Sequence, residues 1–185
     1  NTPVPKELTA KQQDMQDTMD HGMKILDMTE EMYNDISTKY GTGRLKGMAT
    51  TFQGKMGDLM PFFGGKEAPE VVPYLNNLEG LANFIGRSIY RDDRVSDVNI
   101  KGYKKALADL TNTPAEAKIM FNILRRYADN PQDLQAEKAI RTLIPLSGES
   151  SKNNNPIIVA HQNGLISREE MEAIAREQIA SKKKV

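Results

Sequence analysis

The chain's 185 residues carry 25 basic and 25 acidic side chains and no net charge, the size of one domain or at most two. With no Cys, the composition excludes disulfide scaffolds, thiol nucleophiles and Cys-ligated zinc sites, and it suits a reducing or redox-neutral setting. Balanced charge argues against a dedicated nucleic-acid binder, and the longest uncharged apolar run, residues 59–65, falls far short of the roughly 20 residues that span a bilayer.

The sequence starts on Asn rather than Met, so it is expected to be a trimmed or internal piece of a longer chain, without a retained secretory signal. Thr9 with Gln12 three residues later is a capping-box signal, and Gly41 after Tyr40 is a helix stop. Between them Met15, Met19, Leu26 and Tyr33 form one seam, and Ile25, Met28, Met32 and Ile36 form a second beside it. The spacing predicts a helix of about 31 residues, a rod of roughly 46 Å at 1.5 Å per residue. Eight acids against four bases give residues 1–40 a charge of −4.

Residues 41–66 hold seven of the 13 glycines and carry four bases against one acid, or +3. Each interior Gly weakens a helix by roughly 1 kcal/mol, which predicts a short or broken helix over 45–60 and a turn over 61–65. The opposite charges of these first two segments point to an antiparallel pairing, although exposed ion pairs contribute little each.

Val71, Tyr74, Leu75, Leu78, Leu81, Ala82, Ile85 and Ile89 fit one face of the next helix, with Pro69 or Pro73 in its first turn. Ser96 caps a helix through about Leu110 that turns Ile100, Tyr103, Leu107 and Leu110 inward. Thr113-Pro114-Ala115-Glu116 is the clearest local signal: a capping Thr, Pro at the first helical position, and Glu three residues on. Ala117, Met120, Phe121, Leu124 and Tyr127 then face the core, and Asn130-Pro131 restarts a helix whose apolar set includes Leu134, Ile140 and Leu143. Residues 147–155 read SGESSKNNN, a polar linker, and Ser167 with Glu170 caps a last helix through about Ile179. Lys182, Lys183 and Lys184 suit the C-terminal end of its dipole. No alternating strand pattern or fixed-period repeat stands out. The expected fold is all-α: an elongated bundle of about seven helices with a Gly-rich broken second segment and a flexible linker near residue 150. Its expected divisions are 1–66, 67–146 and 147–185.

Constellations that carry chemistry are sparse. A phosphate loop needs Gly, four residues, then Gly-Lys and a hydroxyl; before Gly54-Lys55 and Gly65-Lys66 the required Gly is Ala49 or Met60, and no hydroxyl follows. Asp97, Asn99 and Gly102 imitate a calcium loop, but Lys101 and Ala108 occupy positions five and twelve, so acids near a helix N-terminus is the better reading. Glu149-Ser150 looks like the acid-plus-serine pair of lytic transglycosylases but lacks their Gly-Leu-Met-Gln signature and lies in a polar string. His21 and His161 stand alone and read as surface or core-edge imidazoles. Phe52, Phe62 and Phe63 are interrupted by Lys55, Asp58 and Lys66, which favours core packing over membrane contact. No catalytic residue, cofactor, metal or small-molecule ligand is expected.

Two features bear on partners. Met15, Met19, Met23, Met28, Met32, Met48 and Met56 serve either as core filling or as an adaptable binding surface. Lys101, Lys104 and Lys105 with Arg125 and Arg126 lie on adjacent helices joined by a short turn, loosely like a helix-turn-helix, although solvated faces fit the nearly neutral surroundings better. The candidate partner-binding residues are therefore Met15, Met19, Met23, Arg125 and Arg126.

Residues 86–130 run GRSIYRDDRVSDVNIKGYKKALADLTNTPAEAKIMFNILRRYADN. This stretch resembles a recurrent module in internal virion and ejection (DNA-transfer) proteins of short-tailed bacteriophages. The match is an apolar helix ending in a basic turn, then Val95-Ser96-Asp97, a helix from about Ile100-Lys101, and a Thr-Pro-capped helix with Ala117 and Leu124-Arg125. Tyr74-Leu75, residues 78–81 and the Gly-rich 40–47 region extend the resemblance over roughly 20–130, while Asn99 stands where the pattern has an acid. The resemblance implies a noncatalytic virion component held inside the capsid near the portal and delivered into the host envelope with the genome. Portal protein or sister ejection proteins are the expected partners, with homo-oligomerisation and nonspecific DNA contact as further expectations. An adaptor or nucleic-acid-associated regulator built on residues 97–127 is the alternative, and an enzyme acting through Glu149 a third reading.

Overall fold

Thr9 and Gln12 cap each other as their spacing predicts, the Thr9 amide donating to the Gln12 side chain (2.9 Å) and the Gln12 amide to Thr9 Oγ1 (3.3 Å). The helix that follows is α1, Ala10–Tyr40. The computed structural model describes residues 9–40, 69–91, 95–146 and 154–182, the side chains of 181 and 182 excepted. Over these the remaining helices are α2 Val71–Ser88, α3 Asp97–Leu110, α4 Pro114–Asp129, α5 Leu134–Leu143, α6 Pro156–Gln162 and α7 Arg168–Lys182, with no strand among the described residues. The protein is all-α. The Gly-rich 41–66 segment, its antiparallel pairing, and the 147–153 part of the expected linker lie outside the described residues.

Most helix starts have a local cause, although Glu70 precedes α2 without a side-chain cap. Ser96 Oγ accepts the Asn99 amide (3.2 Å), Thr113 Oγ1 that of Glu116 (3.2 Å), and Asn155 Oδ1 that of Ile157 (2.8 Å). Pro114 and Pro156 each open a helix where a missing N–H costs nothing. The restart after α4 differs from the expectation. Asn130 and Pro131 form a turn closed by the Asp133 amide on the Asn130 carbonyl (2.9 Å). Asp133 then caps α5 by accepting from Gln135 and Ala136 (both 3.1 Å). Leu134 therefore begins the helix pointing outward, 65% exposed rather than in the apolar set.

α4 is the centre. It packs against α1, α3, α5 and α6, and Ala117, Met120, Phe121, Ile123 and Leu124 are buried on it. Phe121 meets the Tyr33 ring edge-on at 5.8 Å, and Tyr33 donates to the Thr111 carbonyl (2.9 Å), tying α1 to the α3–α4 turn. Burial, with Tyr74 and Glu116 nearby, pushes the Tyr33 hydroxyl well above its ordinary range. Across the bundle Tyr127 donates to the Ser88 carbonyl (3.1 Å), and Tyr90, stacked on Tyr103 at 5.6 Å, donates to that of Ile144 (2.5 Å).

α6 has no counterpart in the sequence reading. It is seven residues long, yet Ile157, Val159 and Ala160 are buried against α4 and α5. It ends in a left-handed Gly164 (φ +70°), with the Leu165 amide reaching the Ala160 carbonyl (2.8 Å) and that of Gly164 the His161 carbonyl (3.0 Å). The buried core thus draws on α1 through α6.

Candidate interaction surface

The buried positions of α1 are Met19, Gly22, Leu26, Thr29, Tyr33 and Ile36. They alternate steps of three and four, the rhythm that keeps one seam against a neighbouring helix. Gly22 is there because α2 comes very close: a Cβ would lie 2.4 Å from the Phe84 ring. At Gly80 the approach is reciprocal, with a Cβ position 3.2 Å from Ile25. Thr29 satisfies its buried hydroxyl on the Ile25 carbonyl (2.6 Å). The first expected seam is therefore found at Met19, Leu26 and Tyr33 but not at Met15, and the second is fully buried only at Ile36; Gly22 and Thr29, which are not apolar letters, complete the observed seam.

That seam sorts the candidate methionines. Met19 is 3% exposed and belongs to the core, Met23 is half-buried against it, and Met15 is 37% exposed. Met28 is also on the surface. Every residue from Ala10 to Asp17 is exposed, so the first two turns of α1 carry Met15 clear of the core between Asp14 and Asp17.

The basic residues separate. Arg125 turns onto α1, donating through Nη2 to Asp27 Oδ1 (3.0 Å) and to Glu30, and through Nη1 to Asn122 (3.3 Å). Burial opposes its charge, but the Glu30 and Asp27 hydrogen bonds outweigh that and hold the guanidinium above its ordinary value. Arg126 pairs instead with the cap of α5, Asp133. Burial acts to raise the Asp133 carboxyl, while Arg126 and the amide of Ala136 together hold it below its ordinary value. Lys104 is buried with its ammonium 3.6 Å from Glu79, whereas Lys101 and Lys105 are exposed. The five bases therefore do not form one edge.

The other expected positions stay apart. Asp97 lies in the first turn of α3, where Ser96 caps the Asn99 amide. His21 is exposed on α1; His161 is half-buried, its Nδ1 3.3 Å from the Ile166 carbonyl. Glu149 and Phe52, Phe62 and Phe63 are outside the described residues. Among the described residues no three His, Asp or Glu side chains cluster as a metal site, and no helix is long and apolar enough to cross a membrane. No family model, curated protein or solved structure matches the chain.

Two contributions were hidden from sequence reasoning. One is the Asp27–Arg125–Glu30 group, whose partners are 95 and 98 residues apart in the chain. The other is Gly22: a lone Gly inside a 31-residue helix is the signal that marks a close approach.

Proposed function

We propose that the chain is a noncatalytic segment of a short-tailed phage ejection protein that docks on the portal or on sister ejection proteins and travels with the genome into the host envelope. The reading begins from the resemblance of residues 86–130. The observation that supports it is the free end of α1: Ala10–Asp17 stands clear of the core and offers Met15, flanked by acids, to a partner surface that is apolar and basic. Joints of polar or Gly-rich sequence between helices suit a chain that must reorganise to leave through a narrow channel, because each helix can separate without disulfides or sheet ladders to break.

The regulator reading draws less support, because Arg125 and Arg126 are neutralised within the fold by Asp27, Glu30 and Asp133. Mass spectrometry of purified particles and of uninfected host cells discriminates the two. The tryptic peptides are ALADLTNTPAEAK (106–118) and IMFNILR (119–125). Both are expected in particles; their presence in host lysate alone would overturn the phage reading. In the same background, Met15→Glu is expected to weaken capture by portal or partner ejection proteins at least tenfold with an unchanged melting temperature.

A further inference from the structure

α7 is attached differently from the other helices. None of its described side chains is fully buried; Met171 and Ile174 lie half-buried against the core. What it covers is the reverse, because Ile119, Ile123 and Ala160 beneath it are buried apolar residues of α4 and α6. Between cover and floor lies a cleft of about 510 Å³, lined by Ile119, Ile123, Ala160, Leu165, Ile166 and Ile174 and open at its rim to Lys118 and Glu177.

The helix has its own local support. The Ser167 amide donates to Glu170 Oε2 (2.7 Å) and the Glu170 amide to Ser167 Oγ (3.1 Å), a reciprocal cap. Arg168 and Arg176 both bridge to Glu172 one turn away, at 2.8 and 3.7 Å. The chain before it is fixed: the turn closing α6 is hydrogen-bonded and Leu165 and Ile166 pack on the core. Near its far end Gln178 Nε2 donates to Thr113 Oγ1 (3.2 Å), the hydroxyl that caps α4. A stable helix on a fixed base, poorly packed along its length and held near its tip by a side-chain hydrogen bond, has one soft point, at Ser167.

We propose that α7 is a strap that pivots as a unit at Ser167 between a docked position, which covers the apolar floor of Ile119, Ile123 and Ala160, and an open one, which uncovers it. The chain has no Cys, so spin labels can be placed freely. Labels at Lys138→Cys on α5 and Ala175→Cys on α7 sit at exposed positions outside the cleft. They are expected to give two distance populations by double electron–electron resonance, while a reference pair at Lys105→Cys and Lys138→Cys gives one. Residues 168–178 are expected to keep helical Cα chemical shifts throughout. Gln178→Ala, which removes the latch, is expected to raise the open share at least twofold. One narrow population for the α5–α7 pair would overturn the strap, as would coil-like shifts, which would mean that α7 melts rather than pivots. An unchanged open share in Gln178→Ala would overturn the assignment of the latch.

Discussion

α4 and α7 are helices of nearly equal length, 16 and 15 residues, and both begin with a hydroxyl cap and a Glu three residues on. One is the axis of the bundle and the other lies at its edge. Eight side chains of α4 are buried, against none of the described ones of α7. Local signals decide that a helix forms and where it starts, each contributing about 1 kcal/mol. Burial, which contributes about 1.5–3 kcal/mol for each large apolar side chain, decides which helix holds the fold together.

The contrast can be broken most directly in the core. Phe121→Ala removes a fully buried ring in contact with Tyr33 and is expected to cost about 3–5 kcal/mol by urea denaturation. The half-buried Ile174 of α7 should lose far less on the same change; equal losses would erase the distinction between axis and edge. Gly22→Leu tests the close approach of α1 and α2, because its Cβ meets the Phe84 ring. A loss of about 1–3 kcal/mol is expected, and Gln16→Leu on the free end of the same helix should be near neutral.

Capping gives a smaller, sharper comparison. Thr113→Ala removes the acceptor for the Glu116 amide and should lower global stability by about 1 kcal/mol. Ser167→Ala removes the equivalent bond in α7 but should change its local helicity and leave the global denaturation midpoint where it was. A fall in that midpoint equal to that of Thr113→Ala would place α7 inside the cooperative unit.

The Arg126–Asp133 pair adds a pH dependence whose sign follows from the depressed Asp133 carboxyl. Its contribution is fully present above the unfolded carboxyl value of about 3.9 and disappears as pH falls through the lower folded value. Asp133→Asn is therefore expected to flatten the acid limb of the stability curve below about pH 4. A limb as steep as in the unmodified protein would assign that loss to other carboxylates.

The helix starts at Thr9, Ser96, Thr113 and Ser167 were legible because a cap is written within four residues. α6 was not: Asn155 and Pro156 open it much as Thr113 and Pro114 open α4, but PIIVAHQ is too short to show a period, and its contacts with α4 and α5 supply the rest. The seam of α1 was legible at Met19, Leu26 and Tyr33 but incomplete, because Gly22 and Thr29, two of its six members, owe their places to the nearby Phe84 ring and to a carbonyl one turn back. Leu134 and Met28 mislead in the opposite way, apolar residues left outside by the register of their helices. The candidate surface was legible only as letters. Met15 and Met19 look alike in sequence, and the length of α2 beside α1 decides that one is free and the other buried. Arg125 and Arg126 are adjacent yet answer to different helices, α1 and α5, which no short-range pattern records.

Native-state hydrogen exchange tests the account most directly, comparing amides in the middle of α4 (residues 119–127) with those in the middle of α7 (residues 172–178). The α4 amides are expected to exchange only through global unfolding, tracking the full denaturant dependence, while the α7 amides exchange through a local opening with little denaturant dependence. Equal protection and equal denaturant dependence in the two helices would contradict a bundle built around α4 with α7 as its detachable edge.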